Sequence, residues 1–408
     1  MRKAVIAALV LTALFAPGRA DWASIGPEGG QIYSGTVAPT VPPTLYVAST
    51  NSGYPLLKSS NGGASWELTG AALSGYPYQL VTRPGDPNTL YGVYSSVFYC
   101  TTNGGTSWTT TSLGSNTYGN DIAVNPLNPD VIYVVCYKYD GALWKPTSAK
   151  STNGGQTWVT TQLDTATSST MYSCAIDPVD TNVVYMGGRV DTLTCVYKST
   201  DCGATWTRND FPANYYYVYS LLVSPVNRDI IFAGTLYGVC RSTDAGLTWT
   251  RQSTNSYNYH IVAAPGNPDI MYSAAYSAIY RSTDAGLTWA SANTGVYGNT
   301  IRTVLVSPDE PAAVYCGSTA GMFKSTDYGT TWNGCNSGIV NGRIPVVSIN
   351  PHEPATVHAE FIDNAIFKST DDGVTWVRQP TVLSCGNVCN ILFDPTDPQR
   401  IWMLEASG

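Results

Sequence analysis

The sequence predicts an all-β fold, a single propeller of four-stranded antiparallel blades, and three observations predict it. A phrase of eight residues recurs eight times, a proline-to-aromatic spacing recurs nine times, and the segments between them are short apolar runs without helical periodicity. The phrase reads Ser/Thr, spacer, Asp/Asn, spacer, Gly, spacer, Ser/Thr, Trp. Its copies end at Trp66, Trp108, Trp158, Trp206, Trp249, Trp289, Trp332 and Trp376, spaced by 42, 50, 48, 43, 40, 43 and 44 residues. Self-similarity at this period marks units that cannot bury an apolar face alone and must stack on neighbours.

The chain opens with Arg2 and Lys3, an apolar run over 4–15, and Pro17-Gly18-Arg19-Ala20 before Asp21. This is the pattern of a secretory leader with cleavage after Ala20, and the run is too short to span a bilayer, which needs roughly 20 apolar residues. The expected division is therefore 1–20 leader and 21–408 propeller, with the protein secreted or extracellular, at the cell surface or in the periplasm.

The next element, Asp21-Trp22-Ala23-Ser24, resembles the Thr-Trp start of a fourth strand. Within each unit, Pro39, Pro84, Pro126, Pro178, Pro225, Pro265, Pro308, Pro351 and Pro395 are followed seven residues later by an aromatic or His. In the fifth unit the strands are expected at 218–223, 230–234, 238–241 and 248–251. The eight-residue phrase is a turn before strand four. Its Asp or Asn, at Asn61, Asn103, Asn153, Asp201, Asp244, Asp284, Asp327 and Asp371, bonds backbone groups, Gly supplies a conformation other residues resist, and Trp packs as the strand begins. A catalytic residue would not be needed eight times, so the boxes are structural. Residues 390–405 give only two strands of a ninth unit. Joined to the N-terminal strand they would form a split blade closing a ring of eight or nine, without an exposed edge.

The phrase Ser242-Thr243-Asp244-Ala245-Gly246-Leu247-Thr248-Trp249 and its seven counterparts resemble the Asp-box, or bacterial neuraminidase repeat, of the sialidase-like and sortilin-like propellers. The resemblance covers essentially all of the chain after the leader and implies the propeller fold. The same box occurs in sialidases, xyloglucan-hydrolysing enzymes, sortilin receptors and photosystem II assembly factors, so it implies no one activity. A sialidase would carry Arg-Ile-Pro before its first box, whereas Arg343-Ile344-Pro345 stands between boxes seven and eight, apart from the loop arginines Arg189 and Arg302.

A net charge of -7 without a Lys/Arg cluster excludes nucleic acid as the expected partner, and no segment suggests membrane insertion. The ten cysteines do not repeat with the blades, and none shows metal-ligand spacing; no cofactor or metal is expected. Of the three histidines, His358 takes an aromatic slot, His352 lies in a Pro turn, and His260 alone borders the variable loops.

In a four-stranded blade the Pro turn and the box emerge on one face, leaving the variable connections on the other. Those loops are rich in amphipathic aromatics: Tyr76, Tyr78, Tyr118, Tyr139, Trp144, Tyr215, Tyr217, Tyr257, Tyr259 and Tyr297. The leading expectation is a secreted, non-catalytic propeller that binds or scaffolds extracellular protein or carbohydrate through this face. The second is a glycoside hydrolase using two loop carboxylates, with Asp121, Asp140, Asp191 and Glu360 as candidates. The third is an extracellular structural subunit that self-associates by strand addition to its last blade.

Overall fold

The computed structural model describes residues 30–405 except 51–55, 70–72, 74, 166–167, 214, 299, 338–345, 354, 362–364, 372, 380–387 and 394–399. The leader-like segment, Asp21 to Ser24, Arg343-Ile344-Pro345 and Gly408 lie outside the described residues. Eight four-stranded antiparallel sheets are followed by a two-stranded one, each in simple sequential order. In the fifth the strands are Val218–Val223, Ile231–Thr235, Gly238–Ser242 and Thr250–Arg251.

The three inner strands of a blade are largely buried and the outermost is exposed. Val218–Val223 is an apolar strand with four of its six residues buried, because a neighbouring blade covers each face, whereas the outer Thr109–Ser112 of blade 2 is polar and largely exposed. Between them the box forms the turn that the sequence requires. In blade 5 Ser242 Oγ donates to Asp244 Oδ1 (2.7 Å), and the N–H groups of Gly246 and Thr248 donate to Ser242 Oγ (2.9 Å) and Asp244 Oδ1 (2.8 Å). The boxes sit against the Pro turns of their own blades: Gly62 N–H donates to Pro43 O at 3.0 Å and Gly154 N–H to Asp130 O at 3.0 Å. The other ends of the blades carry the variable loops.

The proline-to-aromatic spacing has an inter-blade purpose. In blades 3 and 4 the aromatic packs under the box of the next blade, and a strand-three lysine reaches the same place. Tyr133 Oη and Lys150 Nζ both donate to Cys202 O, at 2.8 and 2.9 Å; Tyr185 Oη and Lys198 Nζ both donate to Ala245 O, at 3.4 and 3.1 Å. The box glycine must be small here, since a Cβ on Gly286 would lie 2.3 Å from Phe232 Cε1.

The same clamp closes the ring. Tyr315 Oη and Lys324 Nζ of blade 7 donate to Gly62 O of blade 1, at 3.1 and 3.0 Å. Trp66 is buried among Ile32, Leu45, Leu57, Leu305 and Met322, and its Nε1–H donates to Cys335 O at 2.7 Å. Inner strands of blades 1 to 7 follow one another round a common axis, the first packing on the seventh. The number of sheets agrees with the repeats; their arrangement does not follow the expected split-blade closure. Blade 1 occupies the place on Tyr315 that blade 8 would take, so sheets eight and nine lie beyond the ring.

Sheet eight (inner strand Val346–Ile349) stacks on the last sheet (Val388–Phe393 and Ile401–Glu405). Its Val347 and Ile349 are exposed where their counterparts Leu221 and Val223 in blade 5 are buried. Among the described residues Cys100, Cys136, Cys174, Cys195, Cys202, Cys240, Cys316 and Cys335 are free thiols.

Candidate functional site: an axial cavity

The inner strands of the seven ring blades carry two aligned positions that the repeat itself indexes. Counting back six residues from each Pro gives Tyr33, Tyr78, Asn120, Tyr172, Tyr219, Tyr259 and Arg302; counting back five gives Ser34, Gln79, Asp121, Ser173, Ser220, His260 and Thr303. All but Ser173 line one cavity of about 650 Å³ on the ring axis, at the end where the variable loops emerge.

A β-bulge delivers them there. In blade 1 the pairing jumps from Ile32↔Ser49 to Ser34↔Ala48, so Tyr33 is an extra residue with no partner of its own. The same skip occurs at Asn120, Tyr172, Tyr219 and Arg302. In blades 2 and 6 Tyr78 and Tyr259 instead begin the strand, each N–H donating at 2.8 Å to the carbonyl of the residue paired with its successor. An inserted residue breaks the strict alternation of a strand, which is how two consecutive side chains come to face the axis.

Eight of the nineteen lining residues are tyrosines. Tyr33, Tyr76 and Tyr78 form one cluster with ring centroids 5.2 to 5.9 Å apart, and Tyr219, Tyr257 and Tyr259 form another at 5.4 to 6.2 Å. Burial pushes the Tyr78 and Tyr172 hydroxyls up to about 12, so these rings are neutral donors and acceptors.

Four residues depart from the Tyr and small-polar pattern: Asn120, Asp121, His260 and Arg302. Asp121 keeps partial contact with the cavity while protein surrounds it elsewhere, and this desolvation raises its carboxyl to about 7. The N–H groups of Ile122 and Cys174 donate to its two oxygens at 2.8 and 2.9 Å and oppose the rise without cancelling it. His260 is held neutral by burial, its pKa lowered to about 4. Its Nδ1 accepts from Val304 N–H at 3.4 Å, which assigns the proton of the neutral ring to Nε2. The Arg302 guanidinium carbon lies 5.1 Å from the Tyr33 ring centroid and 4.3 Å from that of Tyr259. In a seven-membered ring the wall opposite blade 3, which carries Asp121, falls between blades 6 and 7, which carry His260 and Arg302.

Of the aromatics expected on the loop face, Tyr76, Tyr78, Tyr257 and Tyr259 line the cavity. Tyr118, Tyr139 and Trp144 form an aromatic cluster on blade 3, with Trp144 5.5 Å from Tyr118 and 5.0 Å from Tyr139. Tyr215 packs on Phe211, Tyr217 on Tyr172 and Tyr219, and Tyr297 between Phe323 and Phe367. The four carboxylate candidates are not brought together. Asp140 accepts the N–H groups of Ala142 and Leu143 in a turn, Asp191 accepts Ser168 N–H at a φ of 54°, and Glu360 is buried in the second strand of sheet eight, so Asp121 alone of them reaches the cavity. The pair of facing loop acids is therefore corrected to a single acid on an inner strand.

No protein-family model matches the sequence, and no curated protein matches it. Solved structures similar to this chain include an ancestral GH74 enzyme, at 17% identity and a TM-score of 0.62, covering 94% of this chain and 67% of that one. A GH74 xyloglucanase from Xanthomonas campestris matches at 15% identity and a TM-score of 0.44, over 88% of this chain and 66% of that one. YCF48 bound to D1 peptide matches at 16% identity and a TM-score of 0.42, over 71% and 91%. The likeness to the first is one of fold, and it establishes the propeller architecture. It also corrects the functional expectation: the similar fold is that of an enzyme, the ancestral GH74 enzyme, which fits the glycoside hydrolase alternative better than the expected non-catalytic binding module.

Proposed function

We propose that the protein is a glycoside hydrolase acting in the axial cavity, with Asp121 as the acid that protonates the leaving glycosidic oxygen. The observation that carries this is the Asp121 carboxyl, held at about 7 inside an aromatic-walled cavity. Cleaving a glycosidic bond needs a proton donor for the departing oxygen, and a carboxyl still protonated near neutral pH supplies it. As the C–O bond breaks the proton moves from Asp121 to the leaving sugar. Water adds to the anomeric carbon as hydroxyl, and the proton it sheds passes through cavity water to restore the acid form of Asp121.

The tyrosines have a distinct part. Their faces offer large contact area with a polar edge, suited to sugar rings that are apolar on one face and hydroxylated at the rim. His260, neutral and protonated on Nε2, acts as a donor to substrate oxygen and not as the base. The similar fold of a GH74 enzyme supports the reading. The basic-then-apolar segment 1–20 supports placement outside the cytoplasm, where polysaccharides are met.

The test is release of reducing ends from a panel of polysaccharides by the purified chain. Asp121→Asn is expected to lower kcat/KM by roughly 10²- to 10⁴-fold, the usual worth of a positioned acid, with substrate binding retained. Absence of turnover on every substrate, or full activity in the variant, overturns the assignment.

A further inference from the structure

We propose that the glycan bound in the axial cavity is acidic, a uronic-acid saccharide whose carboxylate pairs with Arg302. This rests on the hydrolase reading and names its substrate class. The first support is position. Arg302 stands where five of the other six ring blades place Tyr, on the same bulge and facing the same axis. The fold does not ask for a cation there, because tyrosine serves the other blades.

The second support is that the guanidinium is held but not matched. Tyr33 and Tyr259 pack against it at 5.1 and 4.3 Å, which orders its plane. Its Nε is buried without a hydrogen-bond partner, and none of the ion pairs among the described residues includes it. Arg83 pairs with Asp130, Arg208 with Asp210, and Arg228 with Asp177 and Asp180; Arg189, Arg241 and Arg281 share the unpartnered buried Nε, but Arg302 is the arginine that lines the cavity. The residue is half-buried and its Nε lacks a partner, and a planar fork of N–H donors is complementary to a planar carboxylate.

Third, the rest of the lining gives that charge no answer. The side chains around it are phenols, amides, hydroxyls and a neutral imidazole, and the one carboxylate, Asp121, sits on the opposite wall. A neutral sugar would leave Arg302 uncompensated. A uronate seated on Arg302 extends its neighbouring linkage across the axis toward Asp121. In a chain of net charge -7 an anionic ligand is repelled in general, so this single cation also selects where it binds.

The experiment measures binding by calorimetry to the full chain carrying Asp121→Asn, which slows turnover. Galacturonate and glucuronate trisaccharides are compared with their carboxyl-reduced forms and with triglutamate. At least one uronate is expected to bind about 10- to 100-fold tighter than its reduced form, the worth of hydrogen bonds to a charged group. Adding Arg302→Gln removes that preference, while Arg302→Lys restores part of it; unchanged melting curves show that the ring is intact. Equal affinity for the acidic and reduced forms, no binding of either uronate, or tighter binding of triglutamate overturns the inference. Cleavage of neutral glycans without uronate preference sinks it and leaves the hydrolase reading standing. Arg302-dependent uronate binding with no cleavage of any glycan by the parent chain does the reverse.

Discussion

Two residues of the cavity titrate in opposite senses, and stability should record both. Asp121 is raised from 3.8 to about 7, so the unfolded chain releases its proton first and the folded state loses stability as pH climbs from about 4 to about 7. His260 is lowered from 6.5 to about 4, so its contribution is present above 6.5 and is lost as pH falls toward 4. Each effect is on the order of 2 kcal/mol, allowing for water reaching both groups through the cavity mouth. Thermal melts from pH 4 to 9 check the signs: Asp121→Asn should gain over the parent as pH rises and level off above about 7, whereas His260→Gln should gain as pH falls. A parallel shift at all pH values would contradict the assignment. Catalysis adds a third reading, since kcat/KM should decline above about pH 7 as Asp121 loses its proton.

At the scale of the element, the box was legible before any coordinates because all its requirements are local: an acceptor, two donors, a glycine and a tryptophan within eight residues. The cavity was less legible, although its signal was present as a column of tyrosines six residues before successive prolines. Inner strands and loops look alike when both are rich in Tyr, and only the bulge, a cross-strand event, shows that Tyr33 or Tyr219 faces the axis. Asp121 and His260 could be named from the sequence, but not set on facing walls. Distinguishing backbone demand from packing demand in the box is a test of this reading. Ala at Gly286 must adopt a φ of 75° and also overlap Phe232, whereas Ala at Gly266 must adopt 74° with no atom within 4 Å of the new Cβ. We expect losses of about 3 kcal/mol and about 1 kcal/mol in denaturant titrations. Equal losses would mean that the inter-blade contact carries no weight.

At the scale of the molecule, counting repeats gave nine sheets but could not say which two meet. Closure depends on Gly62 O meeting Tyr315 and Lys324, a contact between residues 253 and 262 positions apart, and nothing local in either segment announces the other. Blade 1 and sheet eight carry the same eight-residue phrase, and it is the phrase of blade 1 that docks on Tyr315. We expect synthesis on the ribosome to decide between them by order of arrival. Blade 1 is complete and waiting when Tyr315 emerges; the box at 369–376 is still some 50 residues away, about 3 to 10 s of translation. A chain refolded from denaturant has no such timetable, since both competitors are present at once. We therefore expect refolding of the whole chain to show a slow phase, absent when translation is coupled to folding and absent from a chain ending after residue 345. Identical refolding kinetics for the long and short chains would show that the ring recognises its first blade by something other than precedence.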